Sequence, residues 1–222
     1  MVPLARSRQM TKSTSRAEEA ASRPARFMKS ALEILGETGR ADFTVLAVVE
    51  RSKTSLRSFY QHYSTKDELL LALVDKIMTE SSARWRADVQ GLDAVTALRT
   101  LVERISAPAA STKQDSINRG LTFYNDHLAE TLPREYARVL SPLHELIVDI
   151  ITTGIAEGVF REASEAETDT AAALIMQTVL GALRLRALGA ELNGTPVEGT
   201  HIYEFCVRSL LRDPGHPIHR SW

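Results

Sequence analysis

The run TVLAVVERSKTSLRSFYQHYSTKDEL, residues 44–69, constrains the fold more than any other part of the chain. Thr44 is a good N-cap, and Val45, Val48 and Val49 follow it at helical spacing. Ser55 is a second N-cap, opening a short helix that ends in Tyr60-Gln61-His62-Tyr63. Ser64-Thr65 opens another, with Asp67 and Glu68 in its first turn, where the helix dipole favours carboxylates. Two short helices around a tight turn, the second rich in polar and basic groups, suit a helix-turn-helix reading head for a DNA major groove.

Charge is distributed to match. Residues 1–67 carry 12 Lys and Arg against 7 Asp and Glu, whereas residues 68–222 carry 15 against 21. A basic head on an acidic body is what fusion of a DNA-binding segment to a different domain should show. The first 22 residues, rich in Ser, Arg, Thr and Ala without apolar period, predict a disordered basic arm. The head is then 23–69, a helical body follows over 70–213, and 214–222 form a tail.

The rest reads as helix throughout, which sets the fold class as all-α. A first helix over 24–39 carries Phe27, Ala31, Ile34 and Leu35 and ends at Gly39. The helix from Ser64-Thr65 continues through Leu69, Leu73 and Ile77 towards Trp85, long enough to join head and body. Apolar stripes follow over 95–105, 117–128 and 136–150, the last interrupted by Pro142, which should kink or split it. Residues 166–189 are apolar almost all round, so that helix needs cover on two sides. A second copy of the chain supplies the outer cover, with Ala172, Val179 and Leu183 in the interface and Phe205 joining them from the last helix.

Residues 27–69 resemble the N-terminal head of the tetracycline repressor (TetR) family of bacterial regulators. The likeness rests on the first helix ending in Gly39, on Thr44, and above all on the run Phe59-Tyr60-Gln61-His62-Tyr63-Ser64-Thr65-Lys66-Asp67-Glu68-Leu69. It implies an all-helical, dimeric regulator of double-stranded operator DNA that a small molecule releases. Position by position, it implies DNA contacts from Thr44, Ser55, Leu56, Arg57, Ser58, Tyr60, His62 and Lys66. Thr44 and Lys66 would meet phosphates, and Tyr60 and His62 the backbone or groove wall. The chain departs from the family in the turn, where Ser52-Lys53 replace small residues and a Gly. A non-Gly residue in a left-handed turn costs about 1 kcal/mol, so a differently shaped turn is expected. Leu56 and Arg57 also replace more usual polar and Gly residues, so the operator cannot be copied from a relative.

For the effector, Met78, Trp85, Phe123, Tyr124, His127, His144 and Met176 are the candidate lining of an apolar pocket. No Cys/His set marks a metal, no cofactor motif occurs, and no catalytic constellation supports an enzyme. His144 has Val148 rather than a second His four residues on, which excludes a helical zinc-protease site. Cys206 alone precludes an intrachain disulfide and fits a reducing cytoplasm. No run of eighteen uninterrupted apolar residues predicts a membrane span. The alternative of a different class is a helical protein–protein adaptor whose head binds no DNA. Salt-dependent binding to duplex DNA separates the two.

Overall fold

Helices here begin where a side chain can cover their first free amides. In the computed structural model, Thr44 Oγ1 accepts from Ala47 N at 3.2 Å and opens α2 (Val45–Arg51). Ser55 Oγ accepts from Ser58 N at 3.1 Å and opens α3 (Leu56–Tyr60). Both follow α1, over 23–38. Thr65 accepts from Glu68 N at 3.1 Å, while the Glu68 carboxylate accepts from Ser64 N at 2.6 Å, opening α4 (Lys66–Val89). Asp93 caps α5 (Ala94–Ser106), and Pro133 starts α7 (Pro133–Ala156) just after α6 (Thr112–Thr131). Ser164 and Glu167 form a reciprocal cap for α8 (Glu165–Ala187), and α9 (Gly199–Leu210) follows.

The structure describes residues 23–189 and 197–212. The arm expected over 1–22 and the tail expected over 214–222 lie outside the described residues. Among the described residues the regular elements are all helical, with one isolated antiparallel bridge between Phe160 and Leu211.

The chain divides into two compact units. The first takes the residues up to 73 together with 110–124, and the second takes the remainder. The sequence boundary at 69 left 110–124 with the body, whereas in the structure this segment packs with the head. Gly120 makes that possible. A Cβ there would lie 2.7 Å from Leu35 Cδ2 and 3.3 Å from the Gly39 carbonyl, so only glycine lets α6 come this close. The Tyr124 hydroxyl then donates to the Asp67 carboxylate, tying α6 to the first turn of α4.

In the second unit, Leu98, Leu101, Leu143, Leu146, Ile147, Phe160, Val179 and Leu210 form the centre of a continuous core. Phe160 occupies the space of an absent side chain: a Cβ on Gly154 would fall 2.1 Å from its ring. Arg161 N donates to Leu210 O at 2.9 Å, fastening the exit of α7 to the end of α9. Pro142 does not split α7, which runs unbroken across it between buried Val139 and Leu143. By length and composition α7 is apolar enough to cross a membrane, but its residues Leu143, Leu146, Ile147 and Ile150 are packed into this core. Cys206 is buried, and burial pushes its thiol up to about 11, which leaves it unreactive at neutral pH.

Candidate nucleic-acid interface

Five residues are too few for a self-sustaining helix, so α3 depends on its neighbours. Phe59 is fully buried against Phe27, with ring centroids 5.4 Å apart at 72°, and against Tyr63 at 5.7 Å. Ser58 is turned in as well. With 58 and 59 inward, the helix must present 56, 57, 60 and 61 outward. Leu56 is 43% exposed and Tyr60 57%, and Arg57 and Gln61 are exposed beside them. The Tyr60 ring is held edge-on by Phe59 at 5.5 Å and 88°. Arg57 makes no ion pair among the described residues, so its guanidinium is available to a partner.

The turn before α3 departs from glycine in the expected place. Lys53 has φ 53°, the only positive value outside glycine among the described residues. Its amide donates to Glu50 O at 3.2 Å, and Thr54 N donates to Val49 O at 3.0 Å, so the left-handed residue closes the end of α2. The Ser52 hydroxyl donates to Val49 O at 3.2 Å and lies 2.7 Å from Thr54 Oγ1, and Arg26 donates to Ser52 O. These bonds hold a conformation that a side chain disfavours.

Of the eight residues assigned to DNA, Thr44, Ser55, Leu56, Arg57, Tyr60 and His62 are exposed on this unit. Two assignments need correction. Ser58 is buried against the helix-turn-helix core and cannot face a base edge. Lys66 is half-buried rather than extended: its Nζ donates to Ala41 O at 3.0 Å and lies 5.0 Å from the Tyr124 ring centroid and 5.7 Å from that of Phe43. Its charge is committed to the α1–α2 connection and α6, which no pattern within 44–69 could reveal. Gln61 and Lys53, both outward, were missed, although Gln61 stands one turn beyond Arg57 and was legible by that spacing.

The family model of the bacterial regulatory proteins of the TetR family matches residues 27–73. The chain carries a TetR-family head. Comparison with curated protein sequences finds no match. Among solved structures, a TetR-family transcriptional regulator from Pectobacterium atrosepticum is similar with TM-score 0.69 at 21% identity, over 89% of this chain and 98% of that one. The transcriptional regulator FadR from Bacillus subtilis, crystallised with stearoyl-CoA, is similar with TM-score 0.64 at 16% identity, over 82% and 97%. SmeT, the repressor of the multidrug efflux pump SmeDEF of Stenotrophomonas maltophilia, is similar with TM-score 0.63 at 16% identity, over 88% and 93%. At these identities the likeness shows that the TetR-type fold extends beyond the head.

The effector residues assigned from sequence belong to both units. Phe123 and Tyr124 belong to the first unit, with Tyr124 bonded to Asp67. Burial, followed by that bond, raises the Tyr124 pKa, so the phenol stays a donor. In the second unit Met176 lies within the core, and Met78 and Trp85 pack against it. His144 sits outside, its Nε2 3.2 Å from the Asp169 carbonyl, and His127 is exposed. A cleft of about 600 Å³ in this unit is lined by none of the seven. Its walls are Val89, Ala94, Ala97, Leu146 and Ile150, with the Arg86–Asp149 pair at 2.6 Å on the rim. Small side chains, Ala83, Ala87, Gly91, Ala94 and Ala97, make the space, a signal the search for aromatic linings passed over.

The interface residues also divide. Ala172 and Val179 are buried inside the unit and cannot meet a partner. Helix α8 instead leaves Leu174 outward, 65% exposed, with open space over Gly181. Leu183 is half-buried, and Phe205 is 70% exposed. The inward face of α9 is Ile202, Tyr203, Cys206, Val207 and Leu210, which leaves Phe205 on the outer face.

The left-handed turn generates a prediction. Lys53→Gly should be more stable than Lys53→Ala by about 1 kcal/mol, because only the alanine keeps a Cβ at positive φ. Urea unfolding of the two full-length variants measures the difference, and equal midpoints would mean that the turn is not left-handed.

Proposed function

We propose that this chain is a ligand-responsive transcriptional repressor that binds near-palindromic operator DNA as a homodimer in the cytoplasm. The observation that carries the reading is the outward face of α3, where an unpaired Arg57 stands between Tyr60 and Gln61 in a TetR-family head. A guanidinium in that position is suited to a two-pronged bond to guanine O6 and N7. Thr44, Ser55 and His62 surround it with donors suited to phosphate and sugar. Arg57→Ala should relax base preference at one position per half-site and cost roughly 1–3 kcal/mol. Lys66→Ala, by contrast, should leave the salt dependence of binding unchanged, since its ammonium is committed inside the unit. Fluorescence anisotropy against duplexes selected from a random pool tests both. Wild-type affinity and preference in Arg57→Ala would remove the reading.

A two-fold dimer is supported by the outward Leu174 of α8 and Phe205 of α9, large apolar side chains that a monomer leaves in water. Such a dimer would bring two copies of α3 to successive major grooves. Phe205→Glu should sediment as a monomer at a concentration where the wild type is a dimer. A wild-type chain that is itself monomeric at micromolar concentration overturns this part.

The effector we infer is small and largely apolar. The cleft walls in the second unit are aliphatic, and its rim charges pair with each other, which suits a guest with little net charge. FadR from Bacillus subtilis, similar in fold, was crystallised with stearoyl-CoA, whose acyl chain, though not its charged CoA part, has this character. Such a guest can release DNA only by binding the DNA-free state more tightly. Within a panel of fatty acyl, steroid-like and aromatic compounds, at least one should weaken operator binding, and Ala87→Phe in the cleft wall should blunt that response. If no compound in the panel changes operator affinity, the lipophilic effector is discarded and the DNA reading stands.

A further inference from the structure

We infer that Leu56 is a specificity-determining residue that reads the 5-methyl group of a thymine, on the base pair next to the guanine suited to Arg57. The inference rests on the DNA-binding reading and deepens it from a basic helix face to a class of half-site.

The four outward residues of α3 and its cap fall into two edges. At about 100° per residue, Leu56 and Tyr60 line one and Arg57 and Gln61 the other. The second edge is polar and forked: a guanidinium for guanine, a carboxamide for adenine N6 and N7. Leu56 is the anomaly. It is a large aliphatic side chain, well exposed, on a face whose other members all carry a polar group. The core beneath is built on Phe27, Val48 and Phe59, each fully buried, whereas Leu56 keeps 43% of its surface in water. It cannot serve phosphate, since a leucine against charged oxygens strips their water and returns no hydrogen bond.

The floor of a major groove presents one apolar group, the C5-methyl of thymine. Leu56 is placed to reach it. The Ser55 cap fixes it as the first residue of α3, in the turn where recognition helices meet base edges. Tyr60, one turn on and pinned by Phe59, keeps the apolar edge in step with the polar one. Because 56 and 57 are consecutive, their targets lie on neighbouring base pairs.

The test uses the full-length protein and the operator it selects from randomised duplexes. Each thymine of the half-site is then replaced by deoxyuridine, which removes the methyl and alters no hydrogen-bonding group. One thymine adjacent to a guanine should respond, with binding weakened about fourfold per half-site, the worth of one buried carbon. Leu56→Ala should bind the thymine and uracil duplexes equally, and Leu56→Met, which keeps an apolar tip, should retain the preference. Circular dichroism and the retained Arg57 guanine preference establish that Leu56→Ala is folded. Indifference of the wild type to uracil at every position overturns the proposal, as does a uracil effect that persists in Leu56→Ala. In both cases operator binding itself survives, so the DNA reading stands. A chain that retains no duplex from the pool overturns both.

Discussion

Every statement about the reading face depends on the burial of one ring. Phe59 anchors a helix of five residues, well short of the length at which backbone hydrogen bonds alone hold a helix in water. Its contacts with Phe27 and Tyr63 supply what propensity does not, since burying a phenylalanine contributes about 1.5–3 kcal/mol. The same ring decides direction. Once 59 points inward, helical geometry leaves 56, 57, 60 and 61 no choice but to point outward. Chemistry at the surface is therefore set by packing beneath it, and a change at Phe27 would move Arg57 without touching it.

The first unit extends this logic beyond the helix-turn-helix. The match to the family head ends at residue 73, yet the compact unit also takes in the first part of α6. Gly120 allows the approach, the Tyr124–Asp67 bond fixes it, and Lys66 bridges the Ala41 carbonyl and the Tyr124 ring. A hydrogen bond to a charged carboxylate is worth more than a neutral one, up to about 1.5–3 kcal/mol, and this one is half-buried. Lys66 is best understood within this junction. The residue looks like a phosphate ligand in the linear sequence because its partners, at 41 and 124, lie far from it along the chain.

That example shows how legibility was lost. The helix starts at Thr44 and Ser55 and the exposure of Leu56, Arg57 and Tyr60 were readable, because each depends on residues within about one turn, whereas the turn, expected to change shape, keeps a left-handed residue at Lys53. Ser58 was carried over from the family resemblance together with its neighbours, and in this chain it turns inward beside Phe59. Ala172 and Val179 failed for a different reason. The apolar residues of α8 spread around the helix rather than forming one stripe, and only the packed core shows that these two face in while Leu174 faces out. The cleft was invisible because it arises from small side chains, and a gap leaves no mark in a search for large ones.

Lys53 remains the clearest conflict between local and global demands. A glycine would relieve a left-handed residue of roughly 1–2 kcal/mol of steric cost. The lysine survives there because the turn is over-determined: the Glu50 and Val49 carbonyls, the Ser52 and Thr54 hydroxyls and Arg26 all hold it. What it adds is a positive charge, exposed in the turn that leads into α3. Opposite a phosphate about 4 Å away in water, such a charge is worth about 1 kcal/mol, the same order as the strain. On the proposed function the two terms nearly cancel in the DNA-bound state, and only the strain remains in the free protein. The strain is the same in both states and drops out of binding; on the proposed function only the attraction of the Lys53 charge to phosphate favours the bound state.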